Sequence, residues 1–210
     1  MTETQLSTGL TLIEAIDTVL YQWERKPDDG SADRLTKNAE ALIHWTNVAL
    51  EEVEGDHGAK SPPYGIGLVT LGHIYKHTGD LRAALDTYQR GYEILKEHPS
   101  QNHQGERTCN EDGASAAMNA LVCALQIADS TAEQNRFFKI CGDLFSKRID
   151  HWKADEFLDW LPEFLRRRGQ DHAADELQEQ NGHDYDAWRD WLTSTWSTKH
   201  WQKFVALVTR

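Results

Sequence analysis

Two histidines near the middle of the chain are the side chains best spaced for chemistry. His73 and His77 are four residues apart, so on a helix both imidazoles lie on one face, the first requirement of a two-histidine metal site. No HExxH or CxxC motif adds ligands at standard spacing, and sequence alone does not place a carboxylate such as Glu163 beside the pair. We therefore predict no metal and no other cofactor, with an enzyme or metal protein using His73 and His77 as an alternative.

The cysteines and the usual catalytic motifs give little support to covalent catalysis. Cys109 lies near the basic Arg107, which favours a thiolate, whereas Cys123 and Cys141 fall on apolar helix faces, where cysteine is usually a core residue. The sequence contains no GxSxG elbow, phosphate-binding glycine loop or kinase signature. We predict no catalytic residues and favour a non-catalytic role, although an enzyme whose site is scattered through the fold stays open.

Charge and hydropathy exclude several classes of partner. The 210 residues include 22 Lys and Arg against 34 Asp and Glu, a net charge of −12, whereas nucleic-acid and membrane-surface proteins need a positive surface. No apolar run approaches the roughly 18–20 residues of a membrane-spanning helix, and the polar start from Met1 to Gly9 does not resemble a signal peptide. Three cysteines without close pairing suit a reducing compartment. We expect an acidic cytoplasmic protein that binds neither nucleic acid nor membrane.

Apolar residues recur every three or four positions along most of the chain, which is typical of helices buried along one face. The first such stripe consists of Leu10, Ile13, Ile16, Leu20 and Trp23. No segment alternates with the period of two that a strand requires, and the prolines and glycines cluster in polar breaks. The pattern predicts an all-α chain of about eight helices.

The segment from Leu68 to Leu95 carries the clearest pattern. Two apolar stripes flank the break at Gly79-Asp80, as expected for an antiparallel helical hairpin. In this segment the chain resembles the tetratricopeptide repeat (TPR), and the positions that match the repeat in register are Leu68, Leu71, Gly72, Tyr75, Gly79, Ala84 and Tyr88. Since one repeat cannot bury its own apolar face, the resemblance implies stacked neighbours in a short TPR-like solenoid.

A chain of 210 residues fits one compact domain or one short solenoid, and we predict a single TPR-like helical domain over residues 1–210. Its predicted parts are a divergent N-terminal hairpin (10–56), the clear repeat (66–97), a polar insertion (98–113), degenerate repeats (114–183) and Trp-rich capping helices (184–210).

In the TPR family one helix of each hairpin lines a concave groove that holds an extended peptide or a helix of a partner. Carried over by position, the resemblance assigns to this groove Val69, His73, Lys76, His77, Asn119, Cys123, Gln126, Glu163, Arg166 and Arg167. We therefore expect a scaffold or adaptor that binds a protein or peptide partner.

The C-terminal segment is rich in tryptophan, and two roles stay open for it. The residues concerned are Trp188, Trp191, Trp196 and Trp201. They cap the last repeat if they are buried within the monomer. If part of the set is exposed, they form the interface of a homodimer, because aromatic residues are enriched at interaction hot spots. A homodimeric assembly protein is therefore an alternative to the peptide-binding module.

Overall fold

A computed structural model describes residues 8–24, 31–101, 107–108, 111–127 and 129–146, and the single positions 162, 165, 166, 169, 171, 172, 174 and 175. The chain divides into two compact units, Met1–Cys123 and Ala124–Arg210. The single domain over residues 1–210 and its predicted parts stay predictions.

The regular secondary structure of the described residues is helical apart from one short pair of strands. The helices are α1 (Thr8–Glu24), α2 (Ser31–His57), α3 (Pro62–His77), α4 (Leu81–Leu95), α5 (Glu111–Gln126) and α6 (Thr131–Ser146). Strand β1 (Ser100–Gln101) pairs antiparallel with β2 (Arg107–Thr108) inside the predicted polar insertion. The all-α class is confirmed for this part of the chain, whereas the count of about eight helices stays a prediction. None of the described helices is long and apolar enough to span a membrane.

Helices α1 and α2 pack antiparallel along their apolar faces. Leu10, near the start of α1, joins a cluster with Val53 near the end of α2. Leu20, near the end of α1, packs instead with Leu42, which lies earlier in α2. The predicted stripe from Leu10 to Leu20, at three- and four-residue spacing, is therefore the face that α1 packs against its neighbours.

Helix α3 packs against both members of this pair and runs parallel to α1. A Cβ atom on Gly67 would lie 2.7 Å from both Ile13 Cδ1 of α1 and Leu50 Cδ2 of α2, so three helices meet at this glycine. Further along, Leu20 of α1 and Ile74 of α3 share one buried cluster. Residues later in α1 therefore meet residues later in α3, which shows that the two helices are parallel.

Helices α3 and α4 form the antiparallel hairpin that the sequence predicts. A Cβ atom on Gly72 would lie 2.7 Å from Tyr88 Cε1, and one on Gly65 would lie 2.9 Å from Leu95 Cγ. The earlier residue of α3 thus meets the later residue of α4, so the two helices are antiparallel. Tyr88 and Ala84 are fully buried. The ring of Tyr88 supplies the atoms nearest to a Cβ placed on Gly72.

Local caps define the ends of this hairpin. The Ser61 side chain accepts a hydrogen bond from the Tyr64 amide at the start of α3, and Asp80 does the same for the Ala83 amide of α4. Such side chains satisfy amides that have no partner within the helix. Between the helices Gly79 has φ +83°, a left-handed conformation that favours glycine.

In the second unit, a buried polar network joins the end of α5 to the start of α6. Gln134 Nε2 donates to the Ala124 carbonyl over 2.9 Å, and Ser130 Oγ donates to the Ile127 carbonyl over 2.9 Å. Both side chains are buried. These side chains add to the backbone hydrogen bonds that the Ala124 and Ile127 carbonyls accept where α5 ends.

Candidate functional site

Polar side chains from three helices of the first unit come together at one place, here called the polar site. Its members are Asp17 of α1, His73 and Lys76 of α3, and Asp112 and Asn119 of α5. All three helices are odd-numbered in chain order, so each is separated from the next by one intervening helix.

The apolar faces of α1 and α3 hold two parts of the site in place. Asp17 follows the buried Ile16, and its own side chain is 54% exposed. His73 and Lys76 are one turn apart on either side of Ile74, which is completely buried. Burial of the isoleucines thus aims the neighbouring polar side chains away from the core.

Asn119 is the centre of the hydrogen-bond network. Its side chain is completely buried, yet both ends of the amide have partners. Lys76 Nζ donates to Asn119 Oδ1 over 2.8 Å, and Asn119 Nδ2 donates to the Ser115 carbonyl over 3.0 Å. A buried amide costs free energy unless it is hydrogen-bonded. The Ser115 bond holds the amide against its own helix, and the Lys76 bond joins α5 to α3.

His73 links the network to α1. Its Nε2 lies 3.5 Å from Asn119 Nδ2, and its Nδ1 lies 3.8 Å from Asp17 Oδ1. The ring also meets the Tyr88 ring edge-on, with centroids 5.5 Å apart. The imidazole, 17% exposed, therefore contacts side chains of α1, α4 and α5.

Asp112 is held in an environment that disfavours its charge. Burial raises the pKa of its carboxyl group, and the nearby carboxylates of Asp17 and Glu111 raise it further, while His73 acts in the opposite direction. Like charges at short range favour the neutral acid. The site is therefore an acidic region that contains one histidine and one lysine.

The structure brings together three of the predicted groove residues, His73, Lys76 and Asn119. Val69 and Cys123 are buried, whereas His77 and Gln126 are exposed. Arg166 forms an ion pair with Asp175 over 3.1 Å in the second unit. The remaining predicted residues lie outside the described residues: Glu163, Arg167, Trp188, Trp191, Trp196 and Trp201. The assignment of this whole set to a groove stays a prediction.

Two acids of the site, Asp17 and Asp112, were not expected from the sequence. Asp17 lies on the first helix, distant in the chain from His73, and no local pattern relates them. Asp112 falls in the predicted polar insertion, but α5 begins at Glu111 and so includes it. Acids in the first turn favour a helix start, and the pair Glu111-Asp112 is the signal that could have placed this boundary.

The cysteines and histidines of the described residues provide no assembled metal site or reactive thiol. No group of three or more His, Cys, Asp or Glu within these residues is placed to hold a metal ion. Cys123 and Cys141 are buried free thiols. Burial raises the pKa of the Cys141 thiol, which keeps it in the less nucleophilic protonated form.

Comparison with protein-family models and with curated proteins finds no match for this chain.

Proposed function

We propose that this chain is a non-catalytic, TPR-like helical-repeat protein that binds an extended peptide or a segment of a protein partner. The observation that carries the proposal is the polar site, in which α1, α3 and α5 each contribute side chains to one place. In a stack of helical hairpins, the first helices of successive hairpins lie side by side and line one surface.

The packing of the first four helices supports this arrangement. The pairs α1/α2 and α3/α4 are both antiparallel, and α1 runs parallel to α3, as the contacts of Ile13 with Gly67 and of Leu20 with Ile74 indicate. Two hairpins stacked in the same orientation give these relations.

The chemistry of the polar site also fits recognition of a polypeptide. The Asp17 carboxylate accepts hydrogen bonds and the Lys76 ammonium donates them, so the two side chains also offer opposite charges. An extended peptide presents backbone amides and carbonyls in alternation, so a surface with both kinds of group can pair with it.

A peptide display library tests the proposal, with the immobilised full chain as bait. We expect wild-type protein to enrich a set of related peptides and Asp17→Lys to weaken their binding at least about tenfold, equivalent to about 1.4 kcal/mol. Asp86→Lys is the matched control, because Asp86 is an exposed aspartate on α4, outside the polar site. Failure to enrich any peptide, or equal losses in both variants, would contradict the proposal.

A further inference from the structure

The orientation of the Asn119 amide is fixed by two independent partners. Lys76 Nζ can only donate, so the atom it meets at 2.8 Å is the amide oxygen. The Ser115 carbonyl can only accept, so the atom it meets at 3.0 Å is the amide nitrogen. Rotating the amide by half a turn would place its NH2 group against an ammonium and its oxygen against a carbonyl.

This orientation determines where neutral His73 carries its proton. Asn119 Nδ2 faces His73 Nε2 at 3.5 Å, and because Nδ2 bears only donor hydrogens, Nε2 must act as the acceptor. The ring proton of neutral His73 then lies on Nδ1, the atom 3.8 Å from the Asp17 carboxylate.

We propose that the contact between His73 and Asn119 is a pH-sensitive latch on the His73 side chain, closed while His73 is neutral and released when its Nε2 takes a proton, while the Lys76–Asn119 hydrogen bond keeps α3 joined to α5. Once protonated, Nε2 and Asn119 Nδ2 are both donors and cannot share a hydrogen bond. Because Lys76 and Ser115 hold the amide, His73 is the side that moves. The Asp17 carboxylate then remains as its partner on α1.

Ionisable side chains from several helices lie around His73. The ionisable side chains near it or beside it on α3 are Asp17 of α1, Lys76 and His77 of α3, Tyr88 of α4, and Asp112 with its neighbour Glu111 of α5. Among the described residues, α2 brings no ionisable side chain into contact with His73. Protonation of His73 on acidification is the signal that opens the latch.

Nitrogen NMR on the full-length wild-type chain tests the proposal directly. The ring nitrogens of histidine have different 15N shifts when protonated and unprotonated, so the spectrum reports the tautomer. We expect His73 to be protonated on Nδ1 at neutral pH. On acidification the Asn119 side-chain amide resonances should move with the same midpoint as the His73 ring.

Variants assign the effect to His73. His73→Gln should abolish the pH-dependent movement of the Asn119 resonances, because the glutamine oxygen accepts from Asn119 Nδ2 at every pH. His77→Gln, at the exposed histidine of the same helix, should leave the movement intact. The proposal is overturned by a neutral His73 protonated on Nε2, by Asn119 resonances that stay constant, or by movement that persists in His73→Gln. The tautomer is read on wild-type protein, so this test does not depend on the folding of either variant.

Discussion

Adding one methyl group at Gly72 should destabilise the α3/α4 hairpin. The Cβ atom of an alanine there would lie 2.7 Å from Tyr88 Cε1 and 2.8 Å from Tyr88 Cδ1. The Tyr88 ring is completely buried, so it cannot swing into solvent to make room. Either the ring leaves its rotamer or the two helices separate.

The size of the effect follows from two opposing contributions. Replacing glycine by alanine inside a helix ordinarily stabilises a protein by up to about 1 kcal/mol. Forcing an extra methyl group into a packed core costs about 1–3 kcal/mol. Gly55→Ala provides the comparison, because Gly55 lies in α2 with no neighbouring atom within 4 Å of a Cβ placed there. The helix-propensity gain contributes to both variants, so Gly72→Ala should be less stable than Gly55→Ala by about 1–3 kcal/mol.

Urea denaturation followed by circular dichroism measures both variants, with the slope of each transition checked against wild type. In a Tyr88→Leu background the ring is absent, and we expect the cost of Gly72→Ala to fall, since contacting residues are energetically coupled. Equal stability of Gly72→Ala and Gly55→Ala would refute the packing described for this hairpin.

The other predictions concern the polar site and the hairpin turn. Asn119→Ala should lower the free energy of unfolding by about 1–3 kcal/mol in urea titrations, because it leaves polar groups of Lys76 and α5 without their amide partner; an unchanged midpoint would contradict the network. Asp112→Asn should be more stable than wild type at neutral pH. The folded-state pKa of Asp112 is raised, so its favourable contribution exists below the unfolded pKa and is lost as pH rises through the folded pKa. The advantage of the variant should therefore vanish below about pH 4, and a constant difference across the titration would rule out this cause. Gly79→Ala should cost about 1–2 kcal/mol of unfolding free energy, because a Cβ atom disfavours φ +83°; a wild-type melting temperature would be inconsistent with that turn.

The α3/α4 hairpin could be predicted from sequence because its determinants are local. Apolar spacing marked the buried faces, and the break at Gly79-Asp80 marked the turn. The start of α3 at Pro62 was harder to place, since a proline pair reads as a break although proline is well accommodated in the first turn of a helix. The start of α5 was hidden in the same way by the polar residues that precede it.

The polar site could be predicted only in part because it depends on contacts between distant segments. His73 and Lys76 share a face of one helix, which their spacing indicates. The burial of Asn119 could not be predicted in this way. It follows from the packing of α5, whose residues from Ala114 to Leu125 are all buried. A helix that is buried on all sides has no polar face, so its sequence does not show which side chains meet a given neighbour. The partnership of His73 with Asp17 likewise needs the parallel packing of α1 and α3.

The most direct measurement of the central claim is NMR mapping of a bound peptide on the 15N-labelled full chain, using a peptide enriched by the display library. If Asp17 of α1 and His73 and Lys76 of α3 form the binding surface, the largest shift changes should fall at these residues, with small changes on the exposed faces of α2 and α4. Changes confined to α2 and α4 would contradict the assignment of the binding surface.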